Sequence, residues 1–165
     1  MSNKIINETL IIGIIKSEEN AKELIEEANI LLNNNKLARA FTLFQLSIEE
    51  LGKCAMITNY ILEDDKSKIN KLLKELKKHK IKTDYSIGYD MMLYKSLNEK
   101  HKKTLLESFV FNSSNISLVD DYKNYSLYTS IINNEFKKPS EIITLENVQN
   151  HKFYAEIRLR ACLKK

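Results

Sequence analysis

Phe41-Thr-Leu-Phe44-Gln-Leu-Ser-Ile48-Glu49-Glu50-Leu51-Gly52-Lys53 sets two carboxylates and a lysine into a stretch that is otherwise largely apolar. A surface helix keeps its charges on one side, so charges woven through an apolar helix mark a buried network or a site. At about 100° per residue, Arg39, Leu43, Leu46, Glu50, Lys53 and Ile57 share one face. Leu37, Ala40, Phe44, Ile48, Leu51 and Ala55 share another. Both faces need covering, which makes this helix central and puts its ionisable groups at helix–helix seams. Glu49 and Lys53 are spaced i,i+4 and Glu50 and Lys53 i,i+3, both spacings that allow pairing. Glycine inside a helix costs about 1 kcal/mol relative to alanine, so Gly52 predicts the close approach of another backbone or a ligand.

The central helix is expected from about Lys36 to Leu62, stopped by Glu63-Asp64-Asp65. Before it, Ser17 and the acidic Glu18-Glu19 open a first helix that carries Ala21, Leu24, Ile25, Ala28, Leu31 and Leu32 at helical spacing. After it, Ile69, Leu72, Leu73 and Leu76 predict a third helix from about Lys66 to Ile81 with a lysine-rich outer face. A fourth is expected from about Ile87 to Phe109, with Tyr94, Leu97, Leu105 and Phe109 in the core and His101 among them. The segment from Phe111 to Pro139 shows no sustained period and reads as a long ordered loop, with Tyr125–Ile131 extended. Pro139, Ser140 and Thr144 then start a last helix that runs nearly to Lys165, with Leu145, Val148, Ala155, Leu159 and Cys162 on one side.

The 165 residues suit one domain. Three glycines and one proline are too few for a hairpin-rich sheet protein, so the fold class is all-α, a helical bundle. A net charge of +4 falls short of the polarity that by itself announces a nucleic-acid binder. Lysine supplies most of the positive charge, and Arg39, Arg158 and Arg160 are the only arginines. Cys54 and Cys162 are far apart in sequence and read as two small buried hydrophobes, a usage that suits a reducing cytoplasm. The apolar run Leu10–Ile15 is far shorter than the roughly 20 residues needed to cross a bilayer, and it reads as an element packing on the domain or on a second copy.

His79 falls on the edge of the third helix's inner face, within Lys77-Lys-His-Lys-Ile-Lys82. It reads either as a polar boundary residue or as a general acid/base, with Lys80 and Lys82 contacting phosphate. His151 and Arg158 share a face of the last helix at a seam. Three scattered histidines without paired cysteines do not point to a metal, and no cofactor is implied.

Ala38-Arg-Ala40 leading into Ser47-Ile-Glu-Glu-Leu-Gly-Lys53, then His79-Lys-Ile-Lys82, then Tyr125-Ser-Leu-Tyr128 with Pro139, Glu141 and Arg158, resembles the AbiV family of abortive-infection proteins in the HEPN superfamily. The resemblance covers most of the chain after about residue 18. It implies a HEPN-like bundle of about five main helices with a long loop before the C-terminal one. It also implies a cytoplasmic homodimer that stops phage multiplication. Many HEPN relatives are metal-independent ribonucleases whose arginine lies a few positions before a histidine. Here Arg39 lies 40 residues before His79 and no histidine follows Arg158, a departure from that signature.

Two expectations follow. In one, the chain is an effector that engages a phage-encoded protein and shuts down expression, with RNA or the translation machinery downstream. In the other, Glu49 or Glu50, Lys53 and His79 converge as a nonstandard ribonuclease site, with Arg39, Lys80 and Lys82 holding RNA.

Overall fold

The computed structural model describes residues 3–93, 98–103 and 116–163. Helix α1 (Asn3–Asn33) turns through Asn35, in the left-handed region at φ 57°, into α2 (Leu37–Glu63), which Asp64 ends in the same region at φ 47°. A 3-10 turn (Lys66–Lys68), held by the Asp65 carboxylate accepting from the Ser67 amide at 3.1 Å, leads into the short α3 (Ile69–Glu75). Then follow α4 (His79–Leu93), a helical turn at 99–103, and α5 (Ile116–Leu127). Strands β1 (Ser130–Ile132) and β2 (Glu135–Lys137) form an antiparallel hairpin pairing Ile131 with Phe136. Asn133 and Asn134, both at positive φ, make its two-residue turn, a conformation asparagine tolerates. The one-turn α6 (Pro139–Ile142) precedes α7 (Leu145–Cys162), which Thr144 caps by accepting from the Asn147 amide at 3.2 Å.

The all-α expectation is met, and α2 is the central rod: it packs along α1 and against α4, α5 and α7. Phe41, Phe44, Ile48, Leu51, Cys54, Met56 and Ile57 are buried on successive sides of it. One apolar cluster gathers Phe41, Phe44 and Ile48 with Val148 and Ala155 of α7. Another joins Leu51 and Cys54 to Tyr89 of α4 and to Ile157 and Cys162 of α7. A third joins Leu10, Met56, Ile57, Tyr60 and Leu72.

Several expected boundaries move. Helix α1 starts well before Ser17 and absorbs Leu10–Ile15, burying Leu10 and leaving Ile11, Ile12 and Ile15 about half exposed. The third helix breaks after Glu75, and His79 opens α4 rather than ending α3. The segment expected to be a long loop holds α5 and the hairpin, so Tyr125–Leu127 are helical and not extended. The last helix is split at Ile143–Thr144, and Leu145 is exposed. His101 is exposed, its ring 5.4 Å from that of Phe153; Tyr94, Leu97, Leu105 and Phe109 lie outside the described residues.

Candidate functional site

Glu49 lies midway along α2 and is 1% exposed. A buried carboxylate needs compensation, and an imidazole and two lysines from two other helices supply it. The His79 Nδ1 lies 2.6 Å from Oε2 at the start of α4, the Lys82 Nζ donates to Oε2 at 2.9 Å one turn later, and the Lys123 Nζ donates to Oε1 at 3.1 Å from α5. Burial alone would push the Glu49 carboxyl up; hydrogen bonds from His79 and Lys82 and the charges of Lys82 and Lys123 outweigh it and hold the group below its ordinary value. Glu49 is therefore ionised and can only accept, so Nδ1 is the protonated nitrogen of His79 and Nε2 is left to act on other groups.

Gly52 makes this possible. A Cβ there would lie 1.8 Å from the Lys82 carbonyl oxygen and 2.6 Å from its carbon. Only glycine lets the α4 backbone come this close, which is what brings Lys82 and His79 within reach of Glu49 three residues earlier. The close approach expected from the sequence is thus a backbone.

The seam continues on both sides of Glu49. One turn earlier, the Gln45 side-chain amide donates to Thr83 at 3.1 Å, and Thr42 and Ser126 hydroxyls meet at 2.6 Å. On α4's other flank, Arg158 is 1% exposed and grips Asp90 with two bonds of 2.8 and 2.7 Å while donating to the Ser86 hydroxyl at 3.0 Å. His151 stacks on Phe41 with ring centroids 4.0 Å apart; burial first, then the Arg158 charge, push its imidazole down to about 3.

The other sequence candidates sit elsewhere. Glu50, about 100° around α2 from Glu49, and Lys53 are half-buried and pair with each other. Arg39 is exposed and donates to the carbonyls of Leu127 at 3.2 Å and Ser126 at 3.5 Å, at the C-terminal end of α5. Lys80 is exposed, whereas Lys82 is 6% exposed and committed to Glu49. Sequence reasoning missed Lys123, Gln45, Thr83 and Asp90. Gln45 alone carried a signal, being one turn from Glu49 on the same face.

The His79 side chain, 54% exposed, opens onto a groove of about 540 Å³. Lys123, Asn124 and Thr42 line it with Leu43, Leu46, Leu127 and Tyr128. Chemically, a carboxylate-anchored imidazole facing a groove can exchange a proton with a bound group, and its mixed walls can seat a partner with both charged and apolar parts. Among the described residues, no group of three or more His, Cys, Asp or Glu side chains is placed to hold a metal ion.

The HEPN_AbiV family model, described as AbiV, matches residues 9–159. The chain belongs to the AbiV family. The match takes in Glu49, Gly52, His79, Lys82, Lys123 and Arg158 together, so the whole Glu49 seam lies within the AbiV domain. AbiV membership links the chain to abortive infection, a form of anti-phage defence. No curated protein and no solved structure matches it. No described helix is long and apolar enough to cross a membrane.

Proposed function

We propose that this AbiV-family chain is an abortive-infection effector that acts by binding, engaging a phage-encoded product and thereby shutting down expression, as a cytoplasmic homodimer. The observation that carries this reading is the burial of Glu49 under His79, Lys82 and Lys123. Those groups are engaged in joining α2, α4 and α5, and what faces outward is a groove whose apolar walls at Leu43, Leu46, Leu127 and Tyr128 stand beside Thr42, His79, Lys123 and Asn124. A surface of this kind suits a protein partner.

The 2.6 Å contact between Glu49 and His79 favours a second reading, ribonuclease activity without a metal. Nε2 of His79 would take the proton of a ribose 2′-hydroxyl while Glu49 stabilises the imidazolium, and Lys123 at the groove would face the phosphate.

One experiment separates them. Purified wild type, Tyr128→Ala and His79→Ala are incubated with total RNA and with tRNA, without and with phage lysate, and the same variants are scored for plating efficiency of phage. The binding reading expects intact RNA throughout and loss of protection in Tyr128→Ala, whose side chain is largely exposed. RNA cut by wild type and spared by folded His79→Ala replaces it with the nuclease.

A further inference from the structure

A basic cleft crosses the outer face of α2. The groove of about 540 Å³ at His79 adjoins a second of about 500 Å³, lined by Lys36, Leu37, Arg39, Lys138 and Pro139. Arg39 joins the two: it lines the second groove, and its guanidinium donates to the carbonyl of Leu127, a residue that lines the first. Both bonds that Arg39 makes run from Nη1, so its Nε and Nη2 have no partner among the described residues. No described residue lining either groove is acidic, and Glu141, on α6 beside them, accepts from the Lys138 backbone amide at 2.6 Å. Between Arg39 and His79 the floor is apolar: Leu43 and Leu46 follow Arg39 on the same face of α2 and extend it by about 10 Å.

We propose that this cleft receives a short acidic and apolar segment of the partner protein, an inference that rests on the binding function proposed above. A carboxylate of the segment meets the unpaired edge of the Arg39 guanidinium, with Lys36 and Lys138 adding positive charge beside it. The segment's apolar side chains lie over Leu43 and Leu46, against Leu127 and Tyr128. Charge selects this occupant. An exposed guanidinium edge with Nε and Nη2 unpaired matches a carboxylate through two parallel bonds, whereas a basic segment would meet repulsion. RNA carries the right sign, but a groove that tracks a single strand stacks its bases on aromatic rings, and here the apolar walls are aliphatic save for Tyr128. Exposed positive charge also steers an acidic partner inward, an attraction that salt screens.

The test uses the full-length protein to select from a random peptide library displayed on yeast. Selected peptides are sequenced, remade with a fluorescent label, and titrated by anisotropy at low and high salt against wild type, Arg39→Glu and Tyr128→Ala. The expected peptides place Asp or Glu beside Leu, Ile or Phe. Changing the acid to its amide, or raising the salt, weakens binding by about tenfold, the loss of one charge-assisted contact. Tyr128→Ala binds more weakly, and Arg39→Glu selects Lys or Arg where wild type selects the acid, a reversal that a merely structural Arg39 would not produce. No selected peptide, peptides without acidic enrichment, or amide counterparts that bind equally well overturn the proposal on wild type alone, whether or not the variants fold. A single-stranded RNA oligonucleotide bound more tightly than any peptide, or peptides that match a stretch of this chain, assign the cleft to nucleic acid or to a second copy and overturn it too. Non-acidic peptides together with phage protection lost in Tyr128→Ala sink this proposal and leave the binding function standing. Protection retained in Tyr128→Ala sinks both.

Discussion

Gly52→Ala is the sharpest perturbation of the seam, because two effects of opposite sign meet in one methyl group. Replacing a helix-interior glycine by alanine stabilises a helix by about 1 kcal/mol. Here the new Cβ would sit 1.8 Å from the Lys82 carbonyl oxygen, 2.6 Å from the carbonyl carbon and 3.0 Å from Cα, all backbone atoms that no rotamer change can move. Ordinary contact begins near 3.4 Å, so α4 must retreat from α2 by roughly 1.6 Å. That retreat stretches the 2.9 Å Lys82 bond and the 2.6 Å His79 bond beyond hydrogen-bond range, leaving Glu49 with Lys123 alone. Overpacking costs about 1–3 kcal/mol, and stripping a buried charge of its partners costs about 3–5 kcal/mol. With one partner kept and the helix gain subtracted, the net loss is about 3 kcal/mol.

At about 2–4 °C per kcal/mol for a chain of this size, the melting temperature falls by roughly 6–12 °C. Circular dichroism during heating, with urea titration as a check, reads it. Gly88→Ala is the internal control: a methyl group added there meets no atom within 4 Å and its face is exposed, so the variant gains up to about 1 kcal/mol. Gly52→Ala melting at or above wild type, alongside a stabilised Gly88→Ala, refutes the idea that backbone contact at Lys82 fixes the α2–α4 seam.

Glu49→Gln keeps the shape but leaves Lys82 and Lys123 without their carboxylate, and urea unfolding should show a loss of about 3 kcal/mol. Arg158→Lys keeps the charge but cannot reproduce the two-pronged grip on Asp90; about 1–3 kcal/mol should go, measured the same way. His79→Ala, at a half-exposed side chain, should change stability by less than about 1 kcal/mol, which makes it a usable probe of activity. The half-buried His151 imidazole, its Nδ1 enclosed, is depressed in the folded chain to about 3 from its ordinary 6.5, so the unfolded chain binds the proton first. Its contribution is complete above pH 6.5 and shrinks as pH falls toward 3. Between pH 7 and pH 5 the wild type should lose about 2 kcal/mol that His151→Phe does not lose, read by urea midpoints at the two pH values.

Helix α2 could be read from sequence because its buried positions are apolar nearly all the way round, and Gly52 stood out as the one residue there with no side chain to pack. Helix α4 could not. Its buried positions include Lys82, Thr83, Ser86 and Asp90, so the periodicity that betrays an inward face is written in polar letters and reads as surface. Choosing between Glu49 and Glu50 had the same difficulty: adjacent residues point about 100° apart, and only the position of α4 decides which one is enclosed. Lys123 was hidden in a segment whose asparagines, serines and tyrosines suggested a loop.

The polar lettering of α4 is matched residue by residue: Thr83 to Gln45, Lys82 to Glu49, Ser86 and Asp90 to Arg158. An apolar seam tolerates sliding, since one leucine packs nearly as well as the next. Moving α4 by one turn here would separate every one of these pairs at once and strand Glu49 and Asp90 in the interior. The network is thus better understood as setting the register of α4 on α2 than as adding net stability, which paired buried charges seldom do. Register is also what points His79 into the groove, so the pairs that bury these charges also determine where the His79 imidazole faces.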